Sequence, residues 1–130
     1  MSPSGILETS LYVADISRSE RFYESVLGLE TIEAGERLRA MKIGDRQILL
    51  LCKKGASAGL NPGAHDGAGR LHLALAIGKS DLPGWKVRLG DFGVEIEEEH
   101  EWELGGHSLY FRDPDGHLIE LATPGVWTIY

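Results

Sequence analysis

Two segments of this chain alternate a mainly aliphatic face with a second face, and they align at an offset of 64 residues. In Leu7-Glu8-Thr9-Ser10-Leu11-Tyr12-Val13, residues Leu7, Thr9, Leu11 and Val13 share one face of a predicted strand, and Glu8, Ser10 and Tyr12 share the other. In Leu71-His72-Leu73-Ala74-Leu75-Ala76-Ile77, four aliphatic residues oppose His72, Ala74 and Ala76. Glu8 and His72 therefore occupy equivalent positions on the face without the main aliphatic stripe. The small neighbours of His72 leave space in front of its imidazole.

A helix signal follows each strand. Ser17 with Glu20 makes a capping box, Phe22 and Val26 share a face, and Gly28 supplies the stop. In the second half Ser80 or Asp81 is placed to cap, and Pro83 suits the first turn. Leu82, Trp85, Leu89 and Phe92 recur at helical spacing before Gly93, which predicts that Trp85 and Phe92 pack the helix onto a sheet. Three strand candidates come next in each half: Glu30–Ala34, Leu38–Ile43 and Gln47–Cys52, then Val94–Glu98, Ser108–Arg112 and His117–Ala122. Leu50 aligns with Glu120 at an offset of 70, so the second half has gained six residues of loop and turn. Each half reads strand, helix, strand, strand, strand.

Between the halves, Lys53 to Arg70 carries Gly55, Gly59, Gly63, Gly67, Gly69 and Pro62, a composition expected of a long flexible connection, with His65 as a solvated loop residue. The apolar tail Val126-Trp127-Thr128-Ile129-Tyr130 is expected to dock on the body of the protein or on a partner subunit. The last two strands flank Asp113-Pro114-Asp115-Gly116, a tight reversal, and so form a hairpin. Alternation sets Leu118, Glu120 and Ala122 on one face and His117, Ile119 and Leu121 on the other. Glu120 thus lies among apolar neighbours, where an unpaired charge is costly, unless its strand is an edge and faces solvent.

Composition narrows the partners. A net charge of −7 and the lack of a basic stripe argue against a nucleic-acid surface. The densest acidic run, Glu97-Glu98-Glu99-His100-Glu101-Trp102-Glu103, reads as a solvated strand or loop. No apolar run is long enough to span a bilayer. Met1-Ser-Pro-Ser-Gly lacks the basic head and apolar stretch of an export signal, and the single Cys52 forms no internal disulfide, so the expected location is the cytoplasm.

Three signatures resemble a known family: Glu8-Thr-Ser-Leu-Tyr-Val-Ala-Asp-Ile with Arg21-Phe-Tyr-Glu-Ser-Val-Leu-Gly-Leu, then His72-Leu-Ala-Leu-Ala-Ile, then Leu109-Tyr-Phe-Arg-Asp-Pro-Asp-Gly-His-Leu-Ile-Glu120-Leu. Their order and spacing are similar to the vicinal oxygen chelate superfamily of glyoxalase I, bleomycin- and fosfomycin-resistance proteins, methylmalonyl-CoA epimerase and extradiol dioxygenases. The resemblance spans Leu7 to Pro124. It implies an α+β fold of two paired βαβββ modules forming a curved, incompletely closed mixed sheet around a metal pocket. Residues 1–130 then form a single domain, with module one over about 6–53, a linker over 54–70, module two over 71–124 and a tail over 125–130.

The resemblance also implies a ligand set. The family's second-module histidine falls on His72 and its last-strand glutamate on Glu120. The first-module ligand, commonly His or Gln, falls on Glu8, a departure that keeps an oxygen donor. A fourth position falls near Leu50, which cannot coordinate. One imidazole and two carboxylates balance a divalent cation and leave positions open for substrate, without deciding among Fe, Mn, Ni, Co and Zn.

The implied function is a metal-dependent enzyme that chelates adjacent oxygens of a small metabolite, of lyase, isomerase, hydrolase or dioxygenase type. Glu120, Tyr110 and His107 are its catalytic candidates, and Tyr12, Arg112 and Trp102 its substrate-binding candidates. Arg112 has the alternative of pairing with Asp113 or Asp115 at the turn. The family often combines modules of two chains, which implies a homodimer whose modules pair either within one chain or across the two subunits, the second sharing the pockets between chains. The competing reading is a metal-free binding protein of the bleomycin-resistance type, in which Glu8 and Glu120 serve polar groups such as His72, Tyr12 and Tyr110.

Overall fold

The computed structural model describes every residue from Met1 to Tyr130. The chain divides into two compact units, Met1–Gly69 and Arg70–Tyr130. In the first, β1 (Glu8–Val13) leads into α1 (Ile16–Ser25), followed by β2 (Glu30–Ala34), β3 (Leu38–Ile43) and β4 (Gln47–Lys53). In the second, β5 (His72–Ala76) leads through a short 3-10 turn into α2 (Leu82–Asp91), followed by β6 (Glu98–Glu101), β7 (His107–Arg112) and β8 (Leu118–Ala122). The fold class is α+β, and each unit is a βαβββ module.

Each module builds a four-stranded mixed sheet, ordered β1-β4-β3-β2 in the first and β5-β8-β7-β6 in the second, and neither closes into a barrel. In both, the first strand runs parallel to the last, and the remaining pairs are antiparallel. The repeat holds residue by residue. Glu8 lies opposite Ile48 and Ser10 opposite Leu50, just as His72 lies opposite Leu118 and Ala74 opposite Glu120.

Alternation sorts the strand faces as expected. In the first unit Leu11, Val13, Met41, Leu49 and Leu51 are buried with Tyr23 of α1; in the second Leu75, Leu109, Phe111, Ile119 and Leu121 are buried with Leu89 of α2. Burial of a large aliphatic or aromatic side chain stabilises by about 1.5–3 kcal/mol, so these two sets hold their sheets to their helices.

Several expectations need correction. Helix α1 starts earlier than the capping box suggested. Asp15 is the N-cap, its Oδ1 accepting from the Arg18 backbone N–H at 3.0 Å, and that bond holds the Asp15 carboxyl below the usual range. Glu20, freed from capping, pairs with Arg39 of β3 at 2.8 Å and accepts from Thr31 at 3.1 Å. On α2, Leu89 is fully buried, whereas Trp85 is half-buried and Phe92 is 50% exposed. Phe92 is the C-cap residue, off the helical stripe, and the Arg88 guanidinium lies over both rings at 5.8 and 5.6 Å.

The strand expected at Val94–Glu98 is displaced to Glu98–Glu101, because pairing with β7 rather than apolar content selects it: Glu98 lies opposite Tyr110 and His100 opposite Ser108. The acidic run thus supplies an exposed edge strand, where charged side chains oppose further pairing. The glycine-rich connection is also more ordered than its composition suggests. Asp66 Oδ1 accepts from Gly55 and Gly67 backbone N–H groups at 3.1 and 2.9 Å, and His65 Nδ1 sits 2.8 Å from the Tyr12 hydroxyl. A Cβ on Gly67 would meet the Tyr12 ring at 2.4 Å, so this close approach requires glycine.

Cys52 is fully buried on β4, and burial, the largest influence on it, pushes its thiol pKa up. Alkylation of the native protein at pH 8 is therefore expected to be slower than that of a free cysteine by about 100-fold or more, since reaction waits on an opening costing about 3 kcal/mol. Timed mass spectrometry with iodoacetamide reads this directly, and a native rate equal to the rate in denaturant would show that the thiol is accessible.

Candidate metal and catalytic site

Strands β5, β8 and β7 are adjacent in that order, so residues that alternate to one face of the second sheet come together. His72 projects from β5, Glu120 from β8, and Ser108, Tyr110 and Arg112 from β7. The Ala74 and Ala76 methyls between them take little room.

Glu120 is 6% exposed. Its two oxygens have different surroundings. Oε1 accepts from the Ser108 hydroxyl, in a short contact, and from the Tyr110 hydroxyl at 3.0 Å. Oε2 lies 3.2 Å from His72 Nε2. The buried carboxylate is thus met by hydroxyl donors on one side and an imidazole on the other, and it escapes the cost of an unpaired buried charge. Tyr110 keeps its proton at neutral pH: burial, the largest influence, pushes the phenol up, the Ser108 hydroxyl pulls it partly back, and the Glu120 carboxylate adds a smaller upward push.

The imidazole is oriented from behind. His72 Nδ1 lies 3.0 Å from the Leu118 backbone carbonyl. A carbonyl only accepts, so Nδ1 must carry the hydrogen. In the neutral ring Nε2 then bears the lone pair and faces a carboxylate oxygen. Two acceptors at 3.2 Å repel each other, so the arrangement calls for positive charge between them, either a proton on Nε2 or a metal ion. The pair fits a divalent cation in donor chemistry: one nitrogen, one carboxylate oxygen, and a backbone carbonyl that fixes the histidine tautomer, as outer partners of metal-binding histidines commonly do. No three His, Cys, Asp or Glu side chains of the chain gather in metal-holding geometry.

The other candidates are placed as follows. Glu8 is exposed on β1 of the first unit. Tyr12 lies half-buried in the same unit, bonded to His65, which is not the solvated loop residue expected. Arg112 shares the face of Glu120, but its Nε donates to both Glu97 oxygens at 3.1 Å and its Nη1 to the Gly116 carbonyl at 3.2 Å, so its partner is Glu97 and not Asp113 or Asp115. His107 falls on the opposite face of β7, with Leu109 and Phe111, where its Nε2 pairs with Glu99 at 3.2 Å. Lys86 also contacts Glu99, and its hydrogen bond, followed by that of His107, holds the Glu99 carboxyl below the usual range. Trp102 reaches the site through Ser108, its indole N–H donating to Oγ at 2.8 Å. Ser108 was missed by sequence reasoning, although a signal exists, since it lies two residues before Tyr110 on the same face of a strand otherwise rich in large side chains.

A pair of βαβββ modules whose second sheet carries a histidine and a glutamate on its first and last strands defines a glyoxalase-like protein. The chain belongs to the glyoxalase/bleomycin resistance protein/dioxygenase superfamily, whose family model matches residues 5–121. It is 31% identical over 126 residues to the metallothiol transferase FosB of Bacillus licheniformis, an alignment that covers 95% of this chain and 77% of that protein. To the glutathione transferase FosA of Serratia marcescens it is 33% identical over 113 residues, covering 86% and 75%. Among solved structures, the lactoylglutathione lyase from Agrobacterium tumefaciens is similar with a TM-score of 0.92 and 34% identity, over 98% of this chain and 99% of that one.

Proposed function

We propose that this chain is a divalent-metal-dependent enzyme in which His72, Glu120 and Glu8 hold the ion and open coordination positions take adjacent oxygens of a small molecule. The observation that carries the reading is the convergence of His72 Nε2 and Glu120 Oε2 at 3.2 Å, with His72 Nδ1 held by the Leu118 carbonyl. The names of the relatives, two thiol-linked transferases and a glutathione-linked lyase, favour a reaction that makes or breaks a bond to a thiol sulfur over dioxygenase chemistry. A bound metal would supply Lewis acidity to a substrate oxygen.

The chain's own groups supply the rest. Tyr110, neutral and beside Glu120, is placed to donate to a substrate oxygen, and the buried carboxylate is placed to take or return a proton. Glu8 completes the ligand set, in this proposal from the partner subunit of a homodimer. The alternative, a metal-free binding protein, has one observation of its own: a protonated His72 would form an ion pair with Glu120 at the same 3.2 Å.

Elemental analysis after native purification, followed by reloading with Fe(II), Mn(II), Co(II), Ni(II) or Zn(II), separates the two. The expected result is roughly one ion per site, with His72→Ala weakening affinity by about 100-fold. Metal content near zero after reloading, or a His72→Ala protein that binds metal like the wild type, overturns the metal reading. Small-molecule binding that survives chelators would instead establish the binding protein.

A further inference from the structure

Glu120 presents one carboxylate oxygen, Oε1, to hydroxyl donors and the other, Oε2, to His72, and something must hold the carboxylate in that orientation. The Ser108 hydroxyl has one proton and two lone pairs, and on its own it rotates freely. The indole of Trp102 removes that freedom. An indole N–H only donates, so at 2.8 Å from Ser108 Oγ it obliges that oxygen to accept, and the serine's single proton turns to Glu120 Oε1. Ser108 is fully buried, so its hydroxyl has no outlet to solvent, and its other neighbour, the Tyr110 hydroxyl, gives its own proton to Glu120 Oε1 and is a weaker acceptor than the carboxylate.

Trp102 is itself held. Its backbone N–H donates to the Gly106 carbonyl at 2.8 Å, and its carbonyl accepts from the Gly105 N–H at 2.9 Å. Its ring meets His100 edge to face at a centroid distance of 4.4 Å. The turn cannot slide, because Gly106 packs on the backbone of Gly125 and Val126 so closely that a Cβ there would sit 2.4 Å away. The hydrogen-bond chain therefore runs in one direction, from the indole through Ser108 to Glu120.

We propose that Trp102 is a positioning residue that, through Ser108, orients the Glu120 carboxylate and aims Oε2 at His72, rather than a wall that touches substrate. The metal consequence rests on the metal-enzyme reading above. The hydrogen-bond consequence does not.

Two measurements test this. In metal-free protein labelled with nitrogen-15, the Trp102 indole resonance, identified by its loss in Trp102→Phe, is expected to shift in Ser108→Ala and to stay near its wild-type position in Ser108→Thr. In Co(II) titrations followed by the visible spectrum, Ser108→Ala and Trp102→Phe are expected to weaken binding about tenfold and alter the ligand-field bands. Ser108→Thr should remain within about twofold of wild type, because it keeps the hydroxyl. An indole resonance unmoved by Ser108→Ala, or a Trp102→Phe protein with wild-type cobalt affinity and spectrum, overturns the proposal. Wild-type protein that takes up no Co(II) overturns the metal reading instead, and the indole resonance then decides the role of Trp102 by itself.

Discussion

Replacement of Glu120 by glutamine is expected to lower divalent-metal affinity by about 100-fold or more while leaving the fold intact. Even at an effective dielectric of about 20, one unit of negative charge in contact with a divalent ion is worth several kcal/mol. Glutamine keeps the shape and an oxygen able to accept from Ser108 and Tyr110, so the buried hydroxyls retain a partner. Thermal unfolding with and without added metal separates the two effects. The wild type should melt higher when metal is added, as any ligand selective for the native state requires, and Glu120→Gln should melt at one temperature in both conditions. An equal metal-induced shift in both proteins would show that Glu120 is not a ligand.

Truncation of Phe111 to alanine is expected to do the reverse. Phe111 is fully buried on β7, opposite Ile119, on the face away from Glu120. Phe→Ala in such a position costs about 3–5 kcal/mol, from lost burial and the cavity left behind. Against a total stability of about 5–15 kcal/mol this is a large share, and a urea titration should show the midpoint falling accordingly. The fraction still folded should bind metal as the wild type does, since Ser108, Tyr110 and Glu120 lie on the other face. A loss below about 1 kcal/mol would mean that the ring contributes little to the core.

Strands β1 to β5 were legible because alternation is a property of neighbouring residues, and their turns carry their own marks, such as Gly44 at positive φ between β3 and β4. Strand β6 was not legible in place. Glu98–Glu101 has no apolar face of its own, and its position follows from hydrogen bonding to β7. The placement of His72 and Glu120 on the less apolar strand faces was readable from the repeat, and so was Tyr110 beside them. Contacts between distant positions were not: Tyr12 and His65 are 53 residues apart and share no periodicity. His107 is next to the hairpin in sequence, but parity along β7 turns it toward Glu99 and away from Glu120.

The matching registers of the two sheets also show what a second centre of this kind would require. Leu38, Ala40 and Leu50 stand in the first unit where Ser108, Tyr110 and Glu120 stand in the second. A carboxylate arriving at position 50 on its own would meet neither hydroxyl and would bear the desolvation cost unaided. Hydroxyl side chains at positions 38 and 40 would be needed alongside it, and without the carboxylate they would lack their acceptor. Such a centre therefore stands as a set, in which donors and acceptor are each costly without the other.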